Sequence, residues 1–223
     1  MKKSFLLLAA ICAIPFMSCN NDEETDGNEE NQGGDKKPAV LCPFALGNTW
    51  TYNYVTKKGE SMTITQTFEK SYTIDGKTGY SYDELEDEQN CALRNSDSDG
   101  SIIEYHFKNG KFVEQSVLYK INAKVGEKYT AKAGVYSEDG FEIEEMEMTC
   151  VKKGVSVTVP AGTFNCYCFC MTVYDRGELS DKFYEYYAEN VGLVQHVRYE
   201  FPSSNKNDSV MMGKYTLSSY KLN

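Results

Sequence analysis

The chain reads as an all-β protein: a curved antiparallel sheet closing into a barrel or a flattened sandwich, with roughly 9–12 strands and little helix. Three observations predict this. Short segments alternate apolar and polar residues at the two-residue period of a half-buried strand. Asp75-Gly76 and Asn109-Gly110 sit at the centres of two such segments, and both dipeptides accept the positive φ angles of a type I′ hairpin turn. Turn signals then recur at the short, even spacing of sandwiches and barrels.

Taken in order, "TWTYNYVT" (49–56) places Trp50, Tyr52 and Tyr54 on one face, and "MTITQTF" (62–68) does the same with Met62, Ile64 and Phe68. The intervening "KKGE" makes them a hairpin. "SYTIDGKTGYSY" (71–82) and "IIEYHFKNGKFVEQSVLY" (102–119) supply two further hairpins. "FEIEEMEMTCV" (141–151), "VSVTV" (155–159), the strand carrying "NCYCFCM" (165–171), "FYEYYA" (183–188), "LVQHVRYE" (193–200) and "KYTLSSYKL" (214–222) follow. One internal echo stands out: "LGNTWT" (46–51) and "VGEKYT" (125–130) share an apolar-Gly-x-x-aromatic-Thr pattern leading from a turn into a strand, the mark of two related halves.

The amino terminus predicts an address. "MKKSFLLLAAICAIPFMS" (1–18) sets Lys2 and Lys3 before an apolar run, the layout of a secretory signal. That run is shorter than the roughly 20 residues a membrane span needs. It ends in "FMSC", which resembles the lipobox of bacterial lipoproteins, with Phe16 where leucine is usual; the resemblance makes Cys19 the lipid-attachment residue. Residues 20–37 carry seven acidic and two basic groups and no large apolar side chain, so they read as a solvated tether. As a flexible coil that tether spans roughly 23 Å. "NNDEE" (20–24) resembles the surface-export signal of Bacteroidota lipoproteins; the same composition also suits the spacer of a lipoprotein on the periplasmic face. Residues 38–223 are left as a single all-β domain.

The net charge of −10 becomes −12 once Lys2 and Lys3 leave with the signal. With no Lys/Arg cluster, such a chain is expected to bind no nucleic acid, and anionic headgroups repel it. Attachment to the outer membrane therefore falls to lipid on Cys19.

"ALGNTWTY", "KVGEKYT", "VTVPAGTFNCY", "YYAENVGLVQ" and "YTLSSYKL" resemble the landmarks of the TapB-like family of exported Bacteroidota proteins, Val159–Phe164 being the most specific. The resemblance implies an all-β curved sheet or barrel and no established chemistry.

Four constellations invite a chemical reading. Cys166, Cys168 and Cys170 alternate along one strand, about 6.6 Å apart. Neighbours at that spacing neither bridge nor share one zinc ion, whose thiolates lie under 4 Å apart. Buried packing is the expectation, with no metal and no cofactor. With Pro160 to Thr163 turning the chain, Val159 lies opposite Phe164 and Val157 opposite Cys166. A bulge at Gly154 then brings Cys150 diagonal to Cys170, a candidate disulfide in an exported protein; Cys42 and Cys91 fall in no pattern. "NSDSDGSIIEYH" (95–106) imitates a calcium loop but has His106 where a bidentate glutamate is required, so it reads as a polar turn. The acidic "DELEDE" (83–88) reads as a solvated loop, and His106 and His196, the two histidines, sit in strands without any hydrolase motif.

No catalytic residue is expected. The sequence predicts a cell-envelope lipoprotein, non-enzymatic and surface-anchored, whose β-domain binds an envelope protein or a ligand. A glycan-binding or glycan-acting lipoprotein and a purely structural component are the alternatives. The 17 tyrosines and Trp50 fit either sugar stacking or ordinary strand packing.

Overall fold

The alternating segments become strands from the first hairpin onward. The computed structural model describes residues 39–82, 89–108, 111–137, 140–175, 177–202 and 208–223. Cys19, the tether and the acidic run 83–88 lie outside the described residues. β1 (Thr49–Thr56) pairs with β2 (Ser61–Thr67), Trp50 opposite Gln66. β3 (Lys70–Ile74) and β4 (Lys77–Ser81) turn on Asp75 and Gly76, with φ of 49° and 73°. That is the two-residue turn expected of Asp-Gly. β5 (Gln89–Asn95), β6 (Ile102–Lys108), β7 (Lys111–Tyr119), β8 (Lys128–Ser137) and β9 (Gly140–Val159) follow. β10 (Gly162–Asp175), β11 (Glu178–Ala188), β12 (Gly192–Glu200) and β13 (Val210–Lys221) complete the chain.

The strands form two antiparallel sheets. One has eight strands in the order β2-β1-β13-β12-β11-β10-β9-β8, the other five in the order β3-β4-β5-β6-β7. Both sheets keep free edges, so the architecture is the flattened sandwich and not a closed barrel. The sheets meet where Tyr119, at the end of β7, packs on Phe169 of β10 (ring centres 5.3 Å apart) and Tyr187 of β11 (4.7 Å). Around that contact lie Trp50, Phe68, Met148, Phe169, Val194 and Leu217, all buried. A smaller cluster of Ile74, Ala92, Ile103, Tyr105 and Phe107 packs within the five-stranded sheet.

The echo between 46–51 and 125–130 is a structural repeat. Gly47 and Gly126, both left-handed, donate their N–H groups to Phe68 O (2.9 Å) and Cys150 O (2.7 Å). The next residues, Asn48 and Glu127, donate to Ala45 O and Lys124 O and accept from Phe68 N and Cys150 N. The same three-bond turn thus opens β1 and β8 and sets each against its hairpin partner.

The structure departs from expectation at three places. The segments 141–151 and 155–159 are one strand, β9, in which Gly154 (φ 72°) forms the foreseen bulge without ending the ladder. β5, "QNCALRN", has no counterpart among the expected strands because it lacks aromatic and β-branched residues. The β9–β10 turn uses only Pro160 and Ala161, with Val159 opposite Gly162 and Val155 opposite Cys166. A tighter turn moves the whole register by two residues.

Candidate functional site

Beyond the Gly154 bulge the β9–β10 ladder shifts register a second time, between Cys168 and Phe169, and that shift decides what the cysteines do. Cys150 lies opposite Phe169, whereas Cys170 lies opposite Thr149, so the two thiols point to opposite faces and stand unbridged. The geometry does not bring this candidate disulfide pair together. Cys166, Cys168 and Cys170 share a face, as the alternation requires, and all three are buried. Burial pushes the thiols of Cys166 and Cys168 up to about 11. At neutral pH they are protonated, as buried packing thiols are.

What they pack against is more informative. Cys170 is opposite Tyr184 of β11, which is opposite Val197 of β12; Cys168 is opposite Tyr186, which is opposite Gln195. Small thiols on β10 thus leave room for large rings on β11. Lys182 stands opposite Tyr199 one step along, and its Nζ lies 5.6 Å from the ring centre of Phe201. Tyr184, Tyr186, Tyr199, Phe201 and Ser209 surround an open cleft of about 290 Å³ with Val197 in its lining. Tyr184 and Tyr199 meet edge to face, ring centres 5.8 Å apart. Burial, and then Cys168 close beside it, push the Tyr186 phenol up to about 12, so its hydroxyl remains a hydrogen-bond donor across the physiological range.

The opposite face of the same strands carries polar groups facing inward. Phe169, Glu185, His196, Tyr215 and Tyr54 form one row across five strands. Glu185 Oε1 is 2.9 Å from His196 Nδ1, and Oε2 accepts the hydroxyl of Tyr119. A carboxylate orienting a histidine supplies two of the three members of a catalytic triad. His196 also meets the rings of Phe183 and Tyr215, at 5.6 and 5.3 Å between ring centres. Trp50, which by sequence fits either sugar stacking or strand packing, is buried at 1 % exposure with its Nε1–H given to Val191 O at 2.6 Å, the packing alternative.

A second cleft, about 390 Å³, lies at the Gly154 bulge beside Lys153, Tyr167 and Glu189. Three of its polar side chains are already engaged: Lys153 Nζ donates to Ile121 O (2.8 Å) and Tyr167 donates to Glu189 Oε1 (2.6 Å). In the 95–106 turn, Asp97 is held by Lys77 (2.7 Å) and Arg94 (3.2 Å), and Asp99 accepts from Ser101 N (3.0 Å). These are the contacts of a polar turn.

Comparison with known proteins adds the following. Residues 119–217, spanning β8 to most of β13, match the DUF3108-like family. No curated protein matches the chain. Among solved structures, a candidate lipoprotein of Parabacteroides distasonis aligns over 83 % of this chain and 100 % of its own, at 18 % identity and a TM-score of 0.45. A candidate exported protein of Bacteroides fragilis with a YmcC-like fold aligns over 82 % of this chain and 100 % of its own, at 16 % identity and a TM-score of 0.46.

Proposed function

We propose that this chain is a non-enzymatic lipoprotein of the cell envelope whose β-domain binds carbohydrate in the tyrosine-lined cleft of β11 and β12. The observation that carries this reading is the convergence of Tyr184, Tyr186, Tyr199 and Phe201 on one open cleft. Aromatic faces pack against the C–H faces of a sugar ring, while the tyrosine hydroxyls, Ser209 and Lys182 offer hydrogen bonds at the rim. At about 290 Å³ the cleft sits near the lower bound of small-ligand sites, which suits a chain end or a single unit of a longer glycan.

Lipid on Cys19 would hold the domain to the outer membrane, and the acidic stretch after it favours the outer face of the cell. The landmarks shared with TapB-like proteins fit the same envelope setting. Calorimetric titration with a panel of oligosaccharides tests the reading. Removing the Tyr199 or Tyr186 ring by substitution with alanine should weaken binding about tenfold, corresponding to roughly 1.4 kcal/mol. Equal affinity in both variants and the parent would sink it.

A further inference from the structure

β5 and β6 pair Cys91 with His106, and Glu104 sits two residues before His106 on the same face of β6. The sulfur, one carboxylate oxygen and one imidazole nitrogen all lie within 4.8 Å of one another. The face they share looks toward β8, whose Gly134 N–H donates to Glu104 Oε1 at 3.1 Å. Cys91 also leans on this group: burial first, then the adjacent Glu104, raise its thiol, and the Gly134 amide acts in the opposite sense. Glu114, across β7 from His106, is occupied by Lys132 at 2.6 Å.

His106 is the unexplained member. Its side chain has no exposure, and neither ring nitrogen has a hydrogen-bond partner among the described residues. Nε2 lies 3.6 Å from Glu104 Oε1, beyond hydrogen-bonding distance. Buried polar nitrogens without partners are rare in folded proteins, and an unseen ion is one of the few accepted reasons for them. The 3.6 Å separation is close to the edge of a zinc tetrahedron: with Zn–N and Zn–O bonds near 2.1 Å, the N···O edge is about 3.4 Å.

We propose that Cys91, Glu104 and His106 form a zinc site. Thiolate, carboxylate and imidazole are all ordinary zinc ligands, and the mixed set excludes calcium and magnesium, which prefer oxygen. A dication balances one thiolate and one carboxylate, leaving the buried site neutral with a neutral imidazole. On binding, the Cys91 sulfur exchanges its proton for the metal, and the proton leaves to solvent. Gly134 N–H orients the carboxylate from the second sheet, so the ion would pin β5 to β6 and tie both to β8. The cluster is separate from the tyrosine cleft and stands or falls independently of it.

The test uses the full chain, stripped of metal with a chelator and then titrated with zinc or cobalt. One equivalent should bind, and the cobalt form should show a thiolate-to-metal charge-transfer band. Cys91→Ser and His106→Gln should each lose more than about 100-fold in zinc affinity, since even ligand-supporting residues are worth 10–100-fold. In the unsubstituted protein, zinc should slow alkylation of Cys91, mapped by mass spectrometry, while leaving Cys168 and Cys170 unaffected. That footprint decides the matter even where a variant fails to fold. Absence of protection at Cys91, or unchanged zinc affinity in both variants, would overturn the proposal.

Discussion

Raising the pH above 10 should unfold this domain, and the reason lies in its buried hydroxyls and thiols. Tyr52 and Tyr119 are each 4 % exposed and Cys42 5 %. Burial raises all three acids well above their ordinary values, with nearby groups such as Glu185 adding to the effect on the tyrosines. The unfolded chain titrates tyrosine near 10 and cysteine near 8.5. Between those values and the raised folded ones, the native state holds more protons than the unfolded state. Stability is therefore intact below these unfolded values and falls as pH rises through them. At pH 11 each phenol kept protonated costs about 1.4 kcal/mol and the thiol about 3, for roughly 6 kcal/mol together. Tyr82 and Tyr187, raised in the same direction, add to this. A domain of this kind has about 5–15 kcal/mol in total, so unfolding should fall near pH 11. The assay is phenolate absorbance followed alongside near-ultraviolet circular dichroism. Exposed tyrosines should ionise first without structural loss, and the buried set should ionise only in a cooperative step that abolishes the dichroism. Ionisation of all 17 tyrosines in one smooth step with the dichroism unchanged would refute the burial argument.

Three further outcomes follow from the packing and the address. Phe169→Ala should lower stability by about 3–5 kcal/mol in a denaturant titration, because the ring is fully buried where the two sheets meet. Gly192→Ala should cost about 1–3 kcal/mol, since φ is +104° and the added carbon would meet Cys42 Sγ at 3.1 Å and Trp50 Nε1 at 3.2 Å. Gly59→Ala, left-handed but in open space, should cost only the backbone share and serves as its control. Cys19→Ala should abolish incorporation of labelled palmitate in cells, and persistent labelling would contradict lipid attachment there.

Much of the fold was legible because strand alternation survives as burial alternation. Trp50 and Tyr52 are both buried on the face the pattern assigned them, and Asp75-Gly76 turns as its φ preferences require. Register was not legible. Nothing in "VPAGTFNCY" distinguishes a two-residue turn at Pro160-Ala161 from a four-residue one, and nothing in "MTCVKKG" announces the second register shift, between Cys168 and Phe169, that puts Cys150 and Cys170 on opposite faces. The tyrosine cleft was half visible, in that "YEYY" places Tyr184 and Tyr186 on one face, but Tyr199 joins them only through the β11–β12 ladder. The Cys91–Glu104–His106 cluster stayed hidden for the same reason. The "EYH" spacing puts Glu104 and His106 on one face of β6, yet Cys91 lies on a strand that lacks a β signature, and its pairing with His106 is a tertiary fact.

Sugar binding by this β-domain is proposed for the β11–β12 cleft. Chemical-shift mapping of the aromatic resonances during titration with a binding oligosaccharide tests it most directly. Tyr184, Tyr186, Tyr199 and Phe201 should move together and saturably while Tyr52 and Tyr119 stay still. Saturable shifts confined to the buried rings or to the Gly154 cleft, or none with any oligosaccharide, would contradict it.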